Sequence, residues 1–210
     1  MNNALMDWSV LLPEIVLASG ICVLLVLDLF VRDSARDLSY LLAIFLLAGV
    51  AWVLIGTSPE STAQLAAGGA YVADDLARVL KLFAVTAVAT VFLYSRAWLR
   101  SRKLHFGEYY VLGLFGLLGV MVLASGYSLL VSYIGLEILS LSLYAMVAFD
   151  RDSARSAEAA MKYFVLGAIA SGTLLYGMSL IYGITGTLQI AELQTTIAAK
   201  SEVVGLWVGL

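Results

Sequence analysis

Six runs of roughly twenty mostly apolar residues, separated by short polar connections, leave this 210-residue chain few ways to fold. They lie at about 9–31, 38–57, 75–96, 108–125, 127–149 and 159–185, and each is long enough to cross about 30 Å of hydrocarbon as a helix. Lipid offers no hydrogen-bond partners, so a spanning segment must satisfy its backbone internally, and each run predicts a transmembrane α-helix. The composition agrees. With 62% hydrophobic residues, 13% charged and a mean hydropathy of +0.96, the chain is far greasier than a soluble domain. The fold class is an all-α polytopic bundle. A seventh apolar run, Val203 to Leu210, rises only about 12 Å as a helix. It reads as the start of a seventh span in a truncated chain.

The same inventory excludes several function classes. The single Cys22 forbids an internal disulfide and any multi-cysteine metal or iron–sulfur site, and the single His105 excludes bis-histidine haem ligation. A net charge of −3 gives no reason to expect nucleic acid as a partner. No nucleophile–base constellation, P-loop or dinucleotide fingerprint is present. The N-terminus is no secretory signal, because Asn2, Asn3 and Asp7 replace the cationic region and the apolar run behind them is long enough to span. Pro13 and Glu14 fit the first turn of that helix, through a dispensable N–H and the positive end of the dipole.

Cations in the connections set the orientation. Arg32, Arg36, Arg96, Arg100, Arg102, Lys103, Arg151 and Arg155 lie in alternate connections, against Lys200 alone in the others. The first group belongs in the cytoplasm, which puts the N-terminus outside, on the periplasmic side of a bacterial inner membrane. No connection exceeds about twenty residues, and Ser58 to Ala73 reads as an exterior loop of small residues.

Charge at mid-bilayer costs about 2.5–3.5 kcal/mol on insertion scales, so depth sorts the polar residues. Asp28 has Arg32 four residues on, Glu108 opens a helix beside Tyr109 and Tyr110, and Asp74 and Asp75 open another. Arg78 and Lys81 lie one to two turns inside the exterior boundary, where snorkelling serves, with Lys81 the deeper candidate. Glu137 differs, being central in the fifth span. Tyr133, Glu137, Ser140 and Tyr144 follow spacings of four, three and four and share one helix face. Lys162 sits about one turn inside the next span. By helix rise it stands near 10 Å above Glu137, a gap that water, Tyr144 or Tyr163 can bridge. A buried acid and amine coupled in this way can trade a proton when the field changes. Gly167, Ala168, Ala170, Ser171 and Gly172 give that span a small face suited to close packing.

The stretch Gly135-Leu136-Glu137-Ile138-Leu139-Ser140-Leu141-Ser142-Leu143-Tyr144, followed by Ala160-Met161-Lys162-Tyr163-Phe164-Val165-Leu166-Gly167-Ala168, resembles the antiporter-like membrane subunits of bacterial proton-pumping NADH:quinone oxidoreductase (respiratory complex I). Leu12-Pro13-Glu14-Ile15 resembles their first helix. Gly135-Leu136 before the glutamate, and Ser142 in place of a proline, favour the subunit N branch over subunits L and M and the Mrp-type cation/proton antiporters.

The resemblance implies the first part of an antiporter-like fold. Residues 1–107 would form three peripheral helices, and 108–210 would start the first repeat. It implies Glu137 and Lys162 as a proton relay, with Tyr133, Ser140, Tyr144 and Tyr163 as a supporting polar face. It also implies a translocase subunit driven by electron transfer elsewhere. This chain would carry no cofactor; FMN, iron–sulfur clusters and quinone would belong to partner subunits, with other membrane subunits and the bilayer as its surroundings. Two alternatives stay open, a Mrp-type cation/proton antiporter subunit and a structural membrane scaffold.

Overall fold

A computed structural model describes residues 10–30, 37–56, 64–102 and 106–199. Its elements run α1 (Leu12–Phe30), α2 (Asp37–Gly56), a hairpin of β1 (Gln64–Ala66) and β2 (Tyr71–Ala73), α3 (Asp75–Arg102), α4 (Phe106–Ala124), α5 (Leu129–Val147), α6 (Ala154–Thr185) and α7 (Ile190–Ala199). Helices α1 to α6 are all long and apolar enough to cross a membrane. They follow the six expected spans, with two corrections at the ends.

Helix α3 does not stop near residue 96 but continues to Arg102, so Arg96 and Arg100 lie on a helix and not in a connection. Asp37, opening α2, holds them there. It lies 3.2 Å from Arg96 and accepts from Arg100 at 2.6 Å through Oδ2, while the Arg96 guanidinium sits 4.5 Å over the Tyr40 ring. Helix α6 starts earlier than expected, at Ala154, because Ser153 caps it by accepting from the Ser156 N–H at 3.3 Å.

Helices α1 to α4 share one core, in which Leu17, Ile21, Leu47, Phe92, Tyr110, Leu114 and Leu117 are fully or almost fully buried. Helix α5 packs along α4, and α6 packs on α5 while leaving most of its own surface exposed. Lipid tails are as apolar as leucine, so such contacts depend on close fit and not on escape from water. The α4–α5 crossing shows that fit. Gly119 and Gly135 face each other so closely that a Cβ on Gly119 would lie 2.6 Å from the Leu139 nitrogen and 2.7 Å from the Gly135 carbonyl.

The stretch read as a loop of small residues holds regular structure over residues 64–73. Residues 64–73 form an antiparallel hairpin, with Leu65 opposite Val72, whose turn carries φ of +66° at Gly68 and +87° at Gly69, left-handed values that favour glycine. The hairpin joins the neighbouring turns through backbone bonds. Val72 N–H donates to the Ser125 carbonyl at 2.9 Å, Tyr127 N–H to Ala70 at 2.9 Å, and Leu129 N–H to Leu188 at 3.0 Å. The result is a collar linking the hairpin, the α4–α5 turn and the α6–α7 turn. Helix α7, with a polar Glu192-Leu193-Gln194-Thr195-Thr196 stretch, follows it and was not among the expected elements. The expected seventh run, Val203 to Leu210, lies outside the described residues, as does Arg32.

Candidate functional site

Glu137 lies close to the middle of α5, eight residues after Leu129 and ten before Val147. Its neighbours on the same face turn toward α6. The Ser171 hydroxyl, on the small face of α6, donates to the Glu137 carboxylate, and the same hydroxyl lies 2.9 Å from the Tyr133 hydroxyl. All three residues are partly buried. With Ser171 committed to the carboxylate, Tyr133 is the donor in the second bond. The chain of donors then runs Tyr133 to Ser171 to Glu137. If Glu137 takes up a proton, it becomes a donor and both hydroxyls can reverse. Ser171 was read as a packing residue, so it is the member of this group that sequence reasoning missed; its only signal was a hydroxyl set among glycines and alanines.

Toward the C-terminal end of α5 the face continues through half-buried Ser140 to Tyr144. The Tyr144 ring meets Tyr163 edge to face at 4.8 Å and Phe164 at 5.7 Å, with its hydroxyl against Gly167. Tyr144 and Tyr163 are thus in contact. Lys162 points elsewhere. Its ammonium lies 2.6 Å from Glu158 one turn earlier, and both side chains are largely exposed on α6. Glu158, which sequence reasoning left aside, is therefore the direct partner of Lys162, and Glu137 is not.

The acids Asp28, Asp74 and Glu108 at the helix ends each have a partner among the described residues; the Arg32 expected beside Asp28 lies outside them. Asp74 caps α3 by accepting from Ala77 N–H at 2.7 Å, and Glu108 pairs with Arg151 at 2.7 Å. Asp28 accepts from Ser39 on α2. Arg78 reaches the Ile55 carbonyl at the end of α2, at 3.4 Å.

Two residues need correction. Lys81 does not snorkel and Glu14 is more than a helix-start residue. They form an ion pair of 2.7 Å with side chains only 4% and 8% exposed. The Lys81 ammonium also donates to the Tyr71 hydroxyl at 2.9 Å. Burial, with the Glu14 carboxylate beside it, pushes the Tyr71 phenol far above the ordinary tyrosine range. Among the described residues, no group of three or more His, Cys, Asp or Glu is placed to hold a metal ion.

Residues 126–210, which carry Glu137 and Lys162, match the family described as "NADH:quinone oxidoreductase/Mrp antiporter, TM". The chain is 54% identical over 187 residues to NADH-quinone oxidoreductase subunit N of Thioalkalivibrio sulfidiphilus, an alignment covering 89% of this chain and 38% of the relative. Among solved structures, it superposes on a chain of respiratory complex I from Thermus thermophilus with bound aureothin. The TM-score is 0.70 at 28% identity, covering 94% of this chain and 42% of that one. A chain of the Mrp complex from Dietzia shares the fold with a TM-score of 0.70 at 19% identity, over 94% of this chain and 22% of that one. The chain spans about two fifths of the length of the curated relatives it matches.

Proposed function

We propose that this chain, which belongs to the NADH-quinone oxidoreductase subunit N family, provides part of a proton-translocating half-channel in a respiratory NADH:quinone oxidoreductase. The observation that carries the proposal is the Glu137 carboxylate, held at mid-span by a two-hydroxyl chain from Ser171 and Tyr133. A hydroxyl chain that reverses when its acid is protonated is a proton wire in miniature. From Glu137 the route would lead through Ser140, Tyr144 and Tyr163 toward Lys162 and Glu158. In this reading Lys162 acts as an adjustable charge. While bound to Glu158 it is turned away from Glu137, and on release it would be free to move toward the relay.

Flavin, iron–sulfur and quinone chemistry is assigned to partner subunits, consistent with one cysteine and one histidine in the chain. Those partners would supply the work remotely, since moving one charge across the membrane costs about 2.3 kcal/mol per 100 mV. The cation distribution supports an exterior N-terminus. Residues 1–107 are assigned to peripheral helices and 108–210 to the start of the first repeat. The Mrp-type antiporter alternative is not favoured, because the likeness to the Mrp structure is one of fold at 19% identity, against 54% identity to a subunit N.

The test is proton pumping by the whole complex in sealed vesicles. Glu137→Gln keeps the size and the hydrogen-bond acceptor but cannot take up a proton, so pumping per assembled complex should fall several-fold. Lys162→Ala should show a smaller loss. Normal pumping by correctly assembled Glu137→Gln complex would falsify the relay and leave the scaffold reading.

A further inference from the structure

The outer end of the bundle holds a second polar cluster that the Glu137 relay does not use. Four elements build it. Glu14 enters from the first turn of α1, Lys81 from the second turn of α3, Tyr71 from β2 and Ser125 from the turn just after α4. The Lys81 ammonium lies 2.7 Å from Glu14 Oε1 and 2.9 Å from the Tyr71 hydroxyl, and 5.1 Å from the centre of the tyrosine ring. Tyr71 is 3% exposed and Ser125 is fully buried.

The hydrogen-bonding capacity of this cluster exceeds what the protein supplies. Glu14 Oε1 has the Lys81 ammonium at 2.7 Å, but Glu14 Oε2 and Ser125 Oγ make no hydrogen bond of good geometry with another protein group, although the Tyr71 phenol lies near both residues. A carboxylate can accept about four hydrogen bonds, and a serine hydroxyl can donate one and accept two. Buried groups left in this condition are ordinarily completed by bound water, which needs two to four polar partners. Here Glu14, Ser125 and Tyr71 are such partners.

A dry ion pair also has little to recommend it at this position. Replacing a buried pair by well-packed apolar residues is often neutral or stabilising, so burial alone is a weak reason to keep one. Ionisable groups within a membrane protein mark ion or proton pathways by default. We propose that Glu14, Lys81, Tyr71 and Ser125 enclose a buried water-binding site, and that the Glu14–Lys81 pair within it exchanges protons and is not a dry structural salt bridge. The exchange balances simply. A proton passing from the Lys81 ammonium to the Glu14 carboxylate leaves a neutral amine and a neutral acid; a proton arriving through water at the amine, and one leaving the acid, restore the pair. Tyr71 is the branch point, because it accepts from Lys81 and keeps its own proton free for Glu14 or Ser125. Through Ser125 the site adjoins the α4–α5 turn, which leads into the helix bearing Glu137.

The test uses the assembled protein in its membrane, exposed to a brief X-ray pulse in ¹⁸O-labelled water. Radicals formed from bound water label the side chains beside it. Tyr71 should acquire label several-fold faster than Phe92, which is equally buried in the helix core. Glu14→Leu with Lys81→Met should abolish that excess by drying the pocket. Glu14→Gln with Lys81→Gln should keep the label but lower pumping per assembled complex several-fold. Labelling of Tyr71 no faster than Phe92, or label surviving the apolar pair, would overturn the water site. Undiminished pumping by the glutamine pair would overturn the exchange role. The pumping arm rests on the proposed transport function, whereas the labelling arm does not. Glu137→Gln should leave the Tyr71 label unchanged, so failure of one reading is distinguishable from failure of the other.

Discussion

The close backbone approach of α4 and α5 at Gly119 and Gly135 gives the sharpest structural prediction. Adding a methyl group at Gly119 would place it 2.6 Å from the Leu139 nitrogen, and at Gly135 it would lie 2.9 Å from the Leu123 nitrogen. Ordinary contact begins near 3.4 Å, so the helices must separate by about 0.8 Å for Gly119→Ala and about 0.5 Å for Gly135→Ala. The obstructing atoms are backbone, so no rotamer change relieves them. Overpacking of this kind costs about 1–3 kcal/mol, against which the better helix propensity of alanine returns at most about 1 kcal/mol. Gly119→Ala should therefore be the more destabilising of the two. The double variant should cost less than the sum, because the first methyl already opens the gap the second needs. Gly49→Ala is the control, with nothing within 4 Å of its added methyl; it should be neutral or slightly stabilising. The assay is thermal unfolding of the full-length protein purified with its complex, followed by retention of assembly. If Gly119→Ala melts with Gly49→Ala, the α4–α5 crossing is not the tight backbone contact described, and the placement of Glu137 two residues from Gly135 loses its support.

The buried Glu14–Lys81 pair predicts an asymmetry that the same melting assay reads. Lys81→Met alone strands the Glu14 carboxylate and should cost about 3–5 kcal/mol, whereas Glu14→Leu together with Lys81→Met should come close to the parent stability; equal losses in the two would refute the pairing. Tyr71 predicts an alkaline limit. Its folded phenol holds its proton above the ordinary value of about 10, so between that value and the folded one the native state binds more protons than the unfolded state. Stability should then fall as pH rises above about 10, by at most about 1.4 kcal/mol per pH unit from this group, and Tyr71→Phe should remove that slope.

How much of this was legible in the sequence depended on whether the relevant signal was local. Helical spans were, because a run of apolar residues long enough for a bilayer reports its own fold whatever its neighbours do. The ends were less so. Arg96 and Arg100 look like loop cations until Asp37, about sixty residues away, is seen to hold them on α3. The hairpin escaped notice because Gln64 to Ala73 has little apolar alternation. It is held by bonds to the Ser125 and Tyr127 turn, which no reading of the segment alone reveals.

The same division runs through the sites. Glu137 was conspicuous because no local interaction can excuse a carboxylate at mid-span, and its tyrosines were found by helical spacing. Ser171 was hidden by an adequate packing explanation. Glu14 and Lys81 were each hidden by an adequate interfacial explanation, yet their meeting is what makes them unusual: two residues separately able to reach bulk solvent are buried together. A charge near a membrane boundary is therefore ambiguous by depth alone. What resolves it is whether another segment closes over it, and here that segment is the hairpin carrying Tyr71, the part of the chain with the weakest sequence signal. Such a lid made of small residues leaves no trace in hydropathy, so buried pairs at the rim of a helical bundle have to be sought in the packing of the loops and not in the spans.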